Sequence, residues 1–277
     1  MVGMLVRLVS NMSWIYKICL CNGLALHLIC IFTRDWLQFY YYSIIVTGYL
    51  NYMYYSFAHP KKGDKQMIYE FRTYTTGPGQ APLLAKYSAE IGRPIRGDDH
   101  GKLEGYWLTE IGPLNQVMHL WSYEDMNHRT EVKSKLAANE AWRNEYLTKT
   151  GPLILRQDNR LMTATKPLVA PSGEGNIYEY RYYRCKVGKT KIFADAITAA
   201  MSVRERHSQN VCIWVTDTGQ PNEVSHLWAY RDMNHRAEAR AAAAADPDWQ
   251  EFLKNGPDRL DEMHASILIP WGHSPLK

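Results

Sequence analysis

The chain carries the same passage twice: "VMHLWSYEDMNHR" from Val117 returns as "VSHLWAYRDMNHR" from Val224. A shift of 107 residues superimposes Trp107 on Trp214, Asn115 on Asn222, His119 on His226, Trp121 on Trp228, Tyr123 on Tyr230 and Trp142 on Trp249. Upstream, "IYEFRTY" at Ile68 returns as "IYEYRYY" at Ile177, and "TGP" at Thr150 answers "NGP" at Asn255. Duplication on this scale constrains the fold more than any local motif, because each unit of about 100 residues is large enough to bury a core. The 277 residues divide into a leader and linker over 1–66, a first repeat over 67–166, a linker over 167–175 and a second repeat over 176–277.

Within one repeat the element order follows from periodicity. "MIYEFRTYT" alternates and is β-rich, so it reads as a strand that Pro78-Gly79 ends. Leu83, Leu84, Tyr87 and Ile91 then fall at helical spacing over Gln80 to about Arg96. "KLEGYWLTEIG" and "QVMHLWSY" are strands joined by the turn "GPLN". Asp125 is placed to N-cap a helix that runs to about Asn139, and Asp232 repeats it. A short helix near Trp142 and the strand "LILRQDNRLMTA" complete β-α-β-β-α-β, the ferredoxin-like order of an α+β unit. Helices on one sheet face leave the other bare, so the two units are expected to pack sheet to sheet, within the chain or across a dimer.

Strand alternation puts Val117, His119, Trp121 and Tyr123 on one face, and Glu70, Arg72 and Tyr74 on one face of the first strand. If that polar-aromatic face points between the sheets, Arg72, Trp107, His119 and Trp121 line a pocket, with Arg181, Trp214, His226 and Trp228 as its copy. The bland alternative makes Glu70–Arg72 an exposed pair and His119 a satisfied core histidine. Arg129 then reaches a carboxylate such as Glu124 or Glu110, and Trp142 and Trp249 are packing anchors. His119 and His128 match no ligand spacing, so no metal is expected. There is no GxSxG, Cys–His pair or glycine-rich phosphate loop, so neither catalytic residues nor a cofactor is expected.

The formal charge of +4 is small and spread along the chain, which argues against nucleic acid as a partner. None of the five cysteines forms a CxxC pair, as suits a reducing compartment. The leader has no acidic residue before Asp35, and "SWIYKICLCNGLALHLICIF" approaches one membrane-spanning length. A mitochondrial transit segment, a membrane anchor and a stretch outside the mature protein all remain open readings of it.

"YEFRTYTTGPG", "GYWLTEIGPLNQVMHLWSYEDMNHRTEV", "LILRQDN" and "ILIPWGHSPLK" resemble the NIPSNAP family, in its branch with two tandem domains, over Met67 to Lys277. The resemblance implies tandem units of the dimeric α/β-barrel type and a mitochondrial protein with a cleavable leader. It also implies protein partners in vesicular transport and mitochondrial quality control, and it brings no established catalytic residues. Copy two departs from copy one at the hairpin turn Thr218-Gly219-Gln220-Pro221, and Gln157 and Asn159 lack clear counterparts near Glu262 to Ser266. The expectation is therefore a non-enzymatic protein that binds protein partners or a small ligand and can form a homo-oligomer. The alternative is a cofactor-light monooxygenase-type enzyme with Arg72, His119 and Trp107, and their copies, around an inter-sheet pocket.

Overall fold

The computed structural model describes residues 66–277 except 255 and 257, so the readings of the leader fall, Gln66 aside, outside the described residues. Among the described residues no helix is long and apolar enough to cross a membrane. Both repeats lie in one compact unit.

The first repeat runs β1 (Ile68–Thr76), α1 (Ala81–Tyr87), a π-helical turn (Ser88–Gly92), α2 (Arg93–Arg96), β2 (Lys102–Ile111), β3 (Gln116–Tyr123), α3 (Met126–Ala138), α4 (Thr148–Thr150) and β4 (Ile154–Lys166). The second runs β5 (Ile177–Cys185), α5 (Thr190–Ala199), α6 (Met201–Arg204), β6 (Gln209–Thr218), β7 (Glu223–Tyr230), α7 (Met233–Ala245), α8 (Pro247–Leu253) and β8 (Leu260–Pro270). Each repeat makes a four-stranded antiparallel half-sheet, β4-β1-β3-β2 and β8-β5-β7-β6. The outer strands then join, β2 to β8 and β4 to β6, and close one barrel inside a single chain. The two sheets expected to stack are thus one sheet wrapped on itself, which leaves no open sheet edge.

Both hairpins turn at an asparagine with positive φ, Asn115 at 56° and Asn222 at 60°. Asparagine is among the few side chains that enter this region readily, which accounts for its recurrence in the repeat. The carbonyls of Asn115 and Asn222 accept the backbone N–H of Thr76 and Cys185, tying each hairpin to the first strand of its repeat.

The barrel interior is apolar. Tyr69, Phe71, Trp107, Met118, Leu120 and Met162 from the first repeat meet Tyr178, Tyr180, Cys212, Trp214, Leu227 and Leu268 from the second. Phe71 stacks on Tyr180 at 4.2 Å across the repeats, and Trp214 meets Tyr69 edge-on at 5.8 Å. A Cβ on Gly105 would overlap the Trp107 ring, so that indole lies over a glycine, whereas the matching position in the second repeat is Cys212. One ion pair enters this interior beside the β4–β6 seam, Arg160 to the fully buried Glu223 at 2.6 Å.

Candidate functional site

The polar-aromatic strand faces do not look into the space between the half-sheets. They look outward, under the helices. Apolar side chains claim the barrel interior because polar groups there would be cut off from both water and the helix termini. The eight residues expected around one inter-sheet pocket are therefore divided by the barrel wall. Trp107 and Trp214 are fully buried inside, whereas Arg72, His119, Trp121, Arg181, His226 and Trp228 lie between strands and helices. The register explains the split: Trp107 pairs with Met118 and takes its face, while Arg72 pairs with His119.

The repeated Asp-Met-Asn-His-Arg run is a helix start with a long reach. Asp125 and Asp232 each accept the N–H three residues on, from His128 and His235, at 2.7 Å. The rings of those histidines accept the N–H of Glu124 and Arg231 through Nδ1. Arg129 does not turn to Glu124 or Glu110. It donates back to Glu70 on β1 at 2.9 and 3.2 Å, and Arg236 does the same to Glu179 at 2.7 Å. Far from being exposed, Glu70 and Glu179 are fully buried, with Arg72 and Arg181 two residues along the same strand at 2.8 and 2.9 Å.

Burial alone would push the Glu70 carboxyl up, but hydrogen bonds from Arg129 and the charges of Arg72 and Lys133 hold it down at about 2. Glu179 is lowered in the same way by Arg236, Arg181 and Arg240 against the opposing pull of burial. A folded pKa below the ordinary 4.5 means that Glu70 contributes stability above that pH and loses it as pH falls toward about 2.

His119 and His226 are 6 % and 2 % exposed, and each Nδ1 accepts the indole N–H of the tryptophan two residues on, at 2.6 Å. Burial, then the nearby guanidinium groups, holds both imidazoles well below the ordinary histidine range, so they are neutral at physiological pH. An Nδ1 that accepts leaves the proton on Nε2. Arginines at the end of each first helical segment cover the tryptophans. Arg96 lies 3.2 Å from the Trp121 ring centre, and Arg204 lies 4.7 Å from Trp228 and 5.6 Å from Trp249. Glu70 and Glu179 stood in the repeated "IYEFRTY" and "IYEYRYY", but spacing alone could not bring them, or Arg96 and Arg204, under one helix layer.

From this shared frame the repeats diverge. In the first, Tyr106 stacks on His119 at 5.3 Å and donates to Ser88, which shares a second hydrogen bond with Tyr146, both at 2.9 Å. Leu136 is buried in the same layer. The 107-residue shift puts Ile213 at Tyr106, Leu253 at Tyr146 and Ala243 at Leu136. The hydroxyl network disappears and the layer loses side-chain volume. There the second repeat holds a cavity of about 450 Å³ bordered by Phe193, Ile197, Trp228, Trp249, Phe252 and Ala243, with His226, Arg181, Arg204, Arg240, Glu179 and Asp261 among its polar groups. Cys185 and Cys212 are free and buried, and burial pushes the Cys185 thiol up to about 11, so neither is an available nucleophile.

Several bacterial proteins share this overall fold. A putative monooxygenase from Fusobacterium nucleatum superimposes with a TM-score of 0.57 at 12% identity, covering 76% of this chain and 93% of that one. A putative monooxygenase from Lactobacillus acidophilus gives 0.56 at 9% identity, over 74% and 94%. Identities this low carry the fold and not the activity. The NIPSNAP family model matches residues 69–167 and again 178–275, and the chain belongs to the NIPSNAP family. Among its relatives, Protein NipSnap homolog 3A of Homo sapiens is 30% identical over 227 residues, covering 80% of this chain and 91% of that protein. Protein NipSnap homolog 2 of Homo sapiens is 29% identical over 223 residues, covering 78% and 77%.

Proposed function

We propose that this protein works by binding and not by catalysis, and that it holds a small amphipathic ligand between the sheet and the helices of its second repeat. The observation that carries this reading is the cavity of about 450 Å³, which falls within the roughly 300–1,000 Å³ of ordinary ligand sites and combines aromatic walls with a few polar groups. The histidine tautomer supports binding over chemistry. With Nδ1 held by Trp228, His226 keeps its proton on Nε2 and has no free lone pair with which to act as a base. The half-sheet order β4-β1-β3-β2 supports reading each repeat as a ferredoxin-like unit of the dimeric α/β-barrel type. Family membership and the acid-poor leader support a mitochondrial setting with protein partners there.

Nile red, which is neutral and apolar, tests the site without presuming a head group. The full chain is expected to bind it at one saturable site. Ala243→Trp and Ile197→Trp, each filling the cavity from a different helix, are expected to abolish that binding while circular dichroism stays unchanged. Equal binding by wild type and both variants would place the probe elsewhere and sink the proposal. The monooxygenase reading makes the opposite prediction for a bound ligand: oxygen uptake that depends on His226.

A further inference from the structure

If the second-repeat cavity is the binding site, its polar groups specify the ligand's head. His226 lines the cavity, and its Nε2, which carries the proton, has no hydrogen-bond partner among the described residues and is covered by the side chains around it. A buried donor without an acceptor is costly, and of the several among the described residues this one belongs to a side chain that borders a cavity. Around it stand three guanidinium groups, Arg181, Arg204 and Arg240, against two carboxylates, Glu179 and the exposed Asp261.

Glu179 is already answered from outside this set by Arg236 at 2.7 Å and from within it by Arg181 at 2.9 Å. Arg240 stands further off at 3.8 Å and is 42% exposed, which puts it at the rim. Arg204 is 5 % exposed and donates to Ser208 at 2.6 Å, and among the described residues no carboxylate lies within ion-pair distance of it. The cavity therefore holds more cationic charge than its own carboxylates balance, in apolar surroundings where an unbalanced charge is costly.

We propose that the ligand is an amphipathic carboxylic acid, bound as its carboxylate with its charge shared between Arg204 and Arg240 and with one oxygen on His226 Nε2–H, to which the covering side chains give way on binding. Its apolar tail runs along Ile197, Phe193, Trp249 and Phe252. A neutral acceptor such as an alcohol satisfies the imidazole but leaves the charge surplus in place. The first repeat keeps the same His–Trp–Arg set but fills the space with Tyr106 and Tyr146, so one acid binds per chain.

Calorimetric titration of the full chain with octanoate and octanol, which share a tail and differ in the head, tests the inference. Octanoate is expected to bind about ten-fold more tightly, the gain of a charge-assisted over a neutral hydrogen bond. Arg240→Gln, at the exposed rim, is expected to shrink that ratio. His226→Phe is expected to abolish it, and His226→Gln, which keeps an N–H donor, to retain it. Equal affinity for octanoate and octanol overturns the head-group assignment while leaving the Nile red site standing. Failure of both to bind a protein that still takes up Nile red overturns it as well.

Discussion

The two repeats have the same strands, the same capped helices and the same buried Glu–Arg–His–Trp layer, yet one is solid and the other hollow. In the first, three side chains close the layer, Tyr106 and Tyr146 through Ser88 and Leu136 by bulk. In the second, Ile213, Leu253 and Ala243 stand in their places and leave the cavity. A π-helical turn at Ser88–Gly92 in the first repeat, with no counterpart among the described helices of the second, accommodates one more residue between Ala85 and Arg96 than lies between Ala194 and Arg204. A Cβ at Gly92 would sit 2.7 Å from the Tyr146 ring, so that helix is shaped to receive Tyr146. Duplication kept the framework in both copies, and the difference is confined to the filling.

The comparison can be broken first at the buried carboxylates. Arg129→Ala leaves Glu70 buried with Arg72 at 2.8 Å and Lys133 at 3.5 Å, and is expected to cost about 3–5 kcal/mol in urea denaturation. Arg236→Ala leaves Glu179 beside a cavity and Arg240, so its cost should be smaller by about 1 kcal/mol or more. Equal costs would mean that the cavity gives the second layer no added tolerance. Next, Tyr146→Leu makes the first repeat resemble the second. It is expected to cost about 2–4 kcal/mol through the new void and to create a second Nile red site, read by stoichiometry. One dye per chain in that variant would show that the hollow depends on more than the filling residues. The smallest effects belong to the caps. Asp125→Ala and Asp232→Ala are expected to lower the melting temperature by about 2–4 °C each, and by equal amounts, because the two caps have the same geometry. An unequal pair would reveal a difference between the helix starts that the hydrogen bonds do not show.

Much of this frame could be read from the chain. The strands follow from alternation at "IYEFRTY" and "QVMHLWSY", and the caps from Asp125 and Asp232 at the end of a strand in the repeated Asp-Met-Asn-His-Arg run. The site was legible only in parts. His119, Trp121 and Arg72 could be placed on one face, but which face the helices cover depends on how two half-sheets meet, a long-range matter that period-two patterns leave open. Trp107 was grouped with them because it recurs in the repeat, although pairing with Met118 sends it into the barrel. Arg129 and Glu70 lie 59 positions apart, beyond the reach of any local rule. The hollow itself was written in the alignment as Tyr106, Leu136 and Tyr146 against Ile213, Ala243 and Leu253. Substitutions between copies report function only once the layer they share is known.

Barrel closure also sets the order in which the molecule can be made. The β2–β8 seam joins Trp107 to Pro270, so β2, paired with β3 on one side, has no partner on its outer edge until nearly the whole second repeat has been synthesised. Contacts this remote in sequence form slowly, and an unpaired β2 edge is a template for strands of other chains in the interval. A nascent chain stopped short of Leu260 therefore leaves the outer edge of β2 unpaired, the kind of edge that templates aggregation. The hollow repeat, in supplying β8, also completes the protection of the solid one.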